Sequence, residues 1–165
     1  MDSKKVIIFC NKGGGNTKNL VEESIKNLKN FEIEMLPSNK TDISSYDYIG
    51  FASGIYYMDF SKDVYDHIEK LTLDGKKCFT MISSGANLEK FISYPKNAIE
   101  KKGGKFIGGF GCKGPQTFFL FKWISYLFGG ATTIDKKDLE KGKEFINDLL
   151  AGKFDNNNNN NNNNN

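Results

Sequence analysis

The stretch Val6-Ile7-Ile8-Phe9-Cys10-Asn11-Lys12-Gly13-Gly14-Gly15-Asn16-Thr17 decides how this chain is read. An unbroken apolar run, Val6 to Cys10, has the pattern of a strand buried on both faces. Glycines follow at once. Beyond them, residues 16–29 carry Leu20, Val21, Ile25 and Leu28 at near-helical spacing. The order is strand, glycine loop, helix. Glycines let the main chain pass close to a ligand with unusual backbone angles. The first N–H groups of the helix have no partners within it, and the helix dipole adds partial positive charge there. The junction therefore predicts an anion site, suited to a phosphate, at the end of the first strand.

Strand and helix signals alternate outward from it. Phe31, Ile33 and Met35 alternate with Glu32 and Glu34, the mark of an edge strand with one wet face, and Pro37 ends it. Residues 48–52 and 77–82 read as strands. Phe60, Val64, Ile68 and Leu71 mark a helix face between them. A helix is expected over 93–102, closed by Gly103-Gly104, and a last strand over 105–112. Asp135 and Asp138 resemble a helix start, followed by Leu139, Phe145, Ile146, Leu149 and Leu150 on one face. About five strands, mostly separated by helices, imply an α/β three-layer sandwich around a parallel sheet, with right-handed crossovers. Ligands of such sheets bind beyond the carboxyl ends of the strands where strand order reverses. That brings together the loops 11–17, 53–59 and 83–87.

Composition narrows the possibilities. The chain has 165 residues, 38% hydrophobic and 13% aromatic, and ends in asparagines from Asn156 to Asn165. That tract cannot build a core. The expected division is a domain over 1–152 and a disordered tail over 153–165. The net charge is +3, and all 23 basic residues are lysine. Without arginine's bidentate fork, nucleic acid is not an expected partner. Cys10, Cys78 and Cys112 lack metal-type spacing and fall in or beside strands, where free cysteine acts as a small hydrophobe. The odd count and the lack of a signal peptide favour the reducing cytoplasm. No apolar run reaches the roughly 18–20 residues of a membrane span. His67, the lone histidine, reads as a surface residue in mid-helix and leaves histidine metal clusters and Ser-His-Asp triads unsupported. No catalytic or metal-ligating residue is expected.

The glycine loop fits some anion-binding patterns poorly. A P-loop needs G-x-x-x-x-G-K-S/T, and Lys18 does not follow a glycine at that spacing. A dinucleotide loop needs G-x-G-x-x-G, and the third glycine is replaced by Lys18. A receiver domain needs an aspartate at the end of the third strand, where Ala52-Ser53 stands. Gly15-Asn16-Thr17 instead matches the end of the flavodoxin phosphate loop, S/T-x-T-G-x-T. Residues 46–57, Tyr46-Asp47-Tyr48-Ile49-Gly50-Phe51-Ala52-Ser53-Gly54-Ile55-Tyr56-Tyr57, look like that family's third strand and following loop. Ser83-Ser84-Gly85 and Phe110-Gly111-Cys112-Lys113-Gly114 match the ends of its last two strands. The chain thus resembles the flavodoxin-like family over about residues 4–150.

The resemblance implies a five-stranded parallel sheet in the order 2-1-3-4-5 and FMN as cofactor. Lys12, Gly13, Gly14, Gly15, Asn16 and Thr17 would hold the phosphate. Ser53, Gly54, Ile55, Tyr56 and Tyr57, with Ser83, Ser84 and Gly85, would flank the flavin ring. Lys12 and Gly14 replace hydroxyl residues of the family loop; each lost hydroxyl bond to a phosphate costs ~1.5–3 kcal/mol, which the Lys12 charge and exposed amides can offset. The alternative is a plain tight turn with Lys12 solvated. Either Tyr56 or Tyr57 would stack on the ring. The Tyr57-Met58-Asp59 peptides lack the glycine that helps family members bond reduced flavin, so a strongly stabilised one-electron form is not expected.

The implied role is redox: electron transfer to a partner protein, or NAD(P)H-dependent reduction of a small acceptor such as a quinone. Family carriers are acidic, unlike this chain. A cofactor-free binding module is the third reading. The segment Phe118–Phe128 is apolar nearly all round and needs cover. It fits a helix buried at the sheet edge, a homodimer contact, a flap over the flavin or a docking patch.

Overall fold

Strand β1 (Val6–Asn11) is buried at every position and pairs in parallel with β2 (Phe31–Leu36) on one side and β3 (Tyr48–Tyr56) on the other. This comes from a computed structural model, which describes residues 4–12, 15–85, 88–113 and 134–154. Gly13, Gly14, residues 86–87, the segment Phe118–Phe128 and the asparagine tract lie outside the described residues. The other elements are α1 (Asn16–Ser24), β4 (Asp59–Phe60), α2 (Lys62–Lys70), β5 (Lys77–Ser84), α3 (Leu88–Ile92), α4 (Lys96–Lys101), β6 (Lys105–Lys113) and α5 (Lys136–Leu150).

The sheet order is β2-β1-β3-β5-β6, with β4 paired antiparallel to the end of β3. Counted over the parallel strands alone, this is the expected 2-1-3-4-5 order. The two-residue β4 is the addition that the sequence reading lacked. Side chains alternate along β1 between two cores. Ile7 and Phe9 join Phe51, Val64, Ile68, Phe91 and Ile99 beneath α2, α3 and α4. Val6, Ile8 and Cys10 join Leu20, Val21, Phe79, Ile146 and Leu149 beneath α1 and α5. Burying each such large side chain contributes about 1.5–3 kcal/mol.

Several elements differ from expectation for identifiable reasons. Helix α1 stops at Ser24, and Asn27 and Asn30 then adopt left-handed backbone, which asparagine tolerates. The helix expected over 93–102 is α4, shortened at its start to Lys96 with Pro95 at the N-cap position, and the short α3 before it is a further element; Pro95, which has no N–H, keeps the two from joining. Gly103 at φ 84° closes α4 as expected. The crossover from β2 to β3 has no helix. It is a strap over 37–47 that buries Ile43 in the α2-side core, while the Lys76 ammonium donates to the carbonyls of Ser44 and Tyr46 at 2.9 and 2.8 Å. Asp135 caps α5 as read from the sequence, accepting from the Lys137 N–H. All three cysteines are free and buried.

His67 corrects the surface reading. It is 1% exposed, three residues from Val64 on the inner face of α2, with its ring 4.2 Å from that of Phe9. Burial holds its pKa below the ordinary histidine value, and the Lys70 charge lowers it further, against an opposing pull from Glu34. The unfolded chain thus binds this proton more readily than the folded one. Full stability is present above about pH 6.5 and declines as pH falls toward the depressed folded-state pKa. Urea unfolding at pH 7.5 and pH 5.5 is expected to show lower stability at the acid value. The His67→Phe variant is expected to lose that portion of the difference, leaving a flatter profile.

Candidate functional site

The carboxyl ends of β1, β3 and β5 meet the start of α1. Gly15 caps α1 at φ 87°, a left-handed conformation that glycine adopts without strain, and the space where a Cβ would sit is open. No side chain caps α1, and its first turn holds no acidic residue. Its leading amides therefore face the loop with the positive end of the helix dipole behind them. Lys12 is exposed. Asn16 is half-buried, and Lys18 is engaged with Glu22 at 3.3 Å.

Thr17 faces the sheet. Its Oγ1 lies 2.7 Å from Ser83 Oγ near the end of β5, and the two residues are only 6% and 8% exposed. This contact ties the first turn of α1 to a strand two places away from β1. Ser84 is buried beside it in register with Lys113, and Gly85 is exposed at the strand's end.

The residues Ser53 to Tyr56, expected in a loop, are the last turns of the pleat in β3. Ser53 is buried on the α2 side, where its hydroxyl donates to the Gly54 carbonyl at 2.5 Å and accepts from the Ser61 N–H at 3.0 Å. Ile55 also packs toward the α2-side core. Gly54 and Tyr56 point the other way. The Tyr56 ring lies against Gly54, where an added Cβ would stand 3.0 Å from the phenol oxygen. Tyr56 and Tyr57 thus part company: Tyr56 folds back over the sheet end, and Tyr57 is 99% exposed.

Asn11 is a further site residue, marked in the sequence only by being a polar side chain directly after the apolar run Val6 to Cys10. It is 4% exposed. Its Oδ1 accepts from the Gly54 N–H at 3.3 Å, and its Nδ2 donates to the Tyr56 hydroxyl at 3.4 Å. Asn11 therefore clamps the ends of β1 and β3 together and sets the Tyr56 ring.

Tyr57 and Met58 join β3 to β4 with φ of 50° and 68°. Positive φ at both central residues makes a type I′ turn, which favours Asn-Gly. Here two bulky residues occupy it. Nearby Cys10 is no nucleophile, because burial pushes its thiol up to about 12. Among the described residues no cluster of potential metal ligands exists.

This combination of sheet order, helix faces and glycine-led first turn defines a flavodoxin-type α/β protein. Flavodoxin 1 of Bacillus cereus superposes with a TM-score of 0.62 at 16% identity, covering 90% of this chain and 98% of that one. A flavoprotein of Lactobacillus acidophilus in complex with FMN superposes with a TM-score of 0.56 at 16% identity, over 66% of this chain and 92% of that one. No protein-family model matches the sequence. An uncharacterized protein of Methanocaldococcus jannaschii is 33% identical over 112 residues, which span 66% of this chain and 72% of the relative. The chain is flavodoxin-like and belongs to one family with this archaeal protein.

The clamp can be tested on its own. Asn11→Leu leaves the Gly54 N–H without its acceptor, and urea unfolding is expected to show a loss of about 1–3 kcal/mol. Tyr56→Phe, which removes only the long bond from Asn11 Nδ2, is expected to cost less than about 1 kcal/mol.

Proposed function

We propose that this protein binds FMN at the carboxyl end of its sheet and acts in redox chemistry. The observation that carries the reading is the uncapped, glycine-led start of α1 at the point where strand order reverses. Residues Lys12 to Thr17 would hold the phosphate through main-chain amides and the Lys12 charge. Gly15 fits this role, because the open space at its α-carbon allows close approach. Ser53 to Tyr57 and Ser83 to Gly85 would flank the ring, the first set mainly through backbone, since the Ser53 hydroxyl is engaged within the fold. Bound FMN would supply the electron-transfer chemistry, and this chain would bind and orient it.

Electron transfer to a protein partner and NAD(P)H-dependent reduction of a small acceptor such as a quinone are both uses of such a site. The exposed Tyr57-Met58 turn favours the first, because it presents apolar side chains to an approaching surface. Among the described residues no helix is long and apolar enough to cross a membrane. We place the protein in the cytoplasm and its domain over 1–152, with 153–165 as a tail. The Phe154 ring extends the packing slightly further, 5.3 Å from Phe145.

Titration with FMN, followed by quenching of flavin fluorescence, tests the reading. Saturable binding, tighter for FMN than for riboflavin, is expected. Gly15→Val forces a β-branched residue into left-handed backbone; it is expected to weaken FMN about tenfold or more, roughly 1.4 kcal/mol, while changing riboflavin much less. A protein that binds neither flavin is the binding module instead.

A further inference from the structure

Ser83 sits where the sequence placed a contact to the flavin ring, yet its hydroxyl is turned to Thr17, 2.7 Å away in a buried setting. A hydroxyl has one proton and two lone pairs, so this pair can run in only two directions. If Thr17 donates to Ser83, the only Thr17 proton is consumed. If Ser83 donates, the Thr17 proton is left to point elsewhere. Thr17 is the second residue of α1, within the turn whose amides form the anion site. An anion there selects the second direction, because only that one adds a charge-assisted O–H···O⁻ bond. The chain of two hydroxyls then polarises toward the negative charge.

We propose that Ser83 is a positioning residue for the phosphate: it donates to Thr17 and so turns the Thr17 hydroxyl toward a phosphate at the start of α1. This rests on the FMN reading above and deepens it. Ser83 thereby discriminates flavin that carries a phosphate from flavin that does not, rather than reading the ring.

FMN and riboflavin are titrated separately into wild type, Ser83→Ala, Ser83→Thr, Thr17→Val and the double variant Ser83→Ala/Thr17→Val, each first checked for a cooperative melt. Ser83→Ala is expected to weaken FMN about three- to tenfold with riboflavin unchanged within about twofold, and Ser83→Thr is expected to restore FMN. The double variant is expected to bind FMN no more weakly than Thr17→Val alone, because both changes cut the same relay. Equal loss of both flavins in Ser83→Ala, no loss of either, or additive losses in the double variant would overturn the relay while leaving the FMN reading intact. A wild type that binds FMN no more tightly than riboflavin overturns the phosphate reading itself, and the relay with it.

Discussion

The position of β1 inside the sheet, between β2 and β3, is the constraint on which the rest depends. The chain leaves β1 over one face through α1 to reach β2. It returns over the other face through the 37–47 strap to reach β3 on the opposite side. The connections that leave the carboxyl ends of the adjacent strands β1 and β3, through α1 and through β4 and α2, go to opposite faces of the sheet, the arrangement that in such sheets opens a crevice for ligands. Strand β1 can occupy this place because it is apolar on both faces. Ile7 and Phe9 serve one core, and Val6, Ile8 and Cys10 serve the other. A polar residue within that run would have no water on either side.

At the rim of the crevice the rule changes. Asn11, Ser53, Thr17 and Ser83 are polar and buried, and each has a partner. Left unpaired, each would cost about 1–3 kcal/mol. Paired as they are, they lock the strand ends to one another and to α1 without introducing a carboxylate. The first turn of α1 adds none either. Among the described residues at this end, the leading amides of α1 and the exposed Lys12 contribute positive potential, which favours an anion.

The Tyr57-Met58 turn is held in left-handed backbone without glycine, at a cost on the order of 1–2 kcal/mol per residue. Burial does not compensate, since Tyr57 is almost wholly in solvent. Strain of this kind persists where the surroundings over-determine the backbone, and it clusters at functional sites. Here the antiparallel pairing of Ile55 with Phe60 and of Tyr56 with Asp59 enforces the turn. Two apolar side chains are thereby presented at the edge of the crevice.

Much of this was legible in the chain. Local patterns suffice for elements whose own sequence reports their burial or their ends: the apolar run of β1, the Asp135 cap of α5 and the glycine closure of α4. The sequence by itself therefore determined the alternation of strands and helices, the parallel sheet and the glycine loop at its first strand. Tertiary structure alone decided the partners of single side chains. His67 looks like a surface residue until Phe9 is placed against it. Asn11 becomes a clamp only when β3 lies alongside β1, and Ser83 meets Thr17 only when α1 crosses the sheet. The physical reason is range: periodicity is a property of neighbours along the chain, whereas these contacts join residues 43 to 66 positions apart, which only the folded sheet brings within hydrogen-bonding distance.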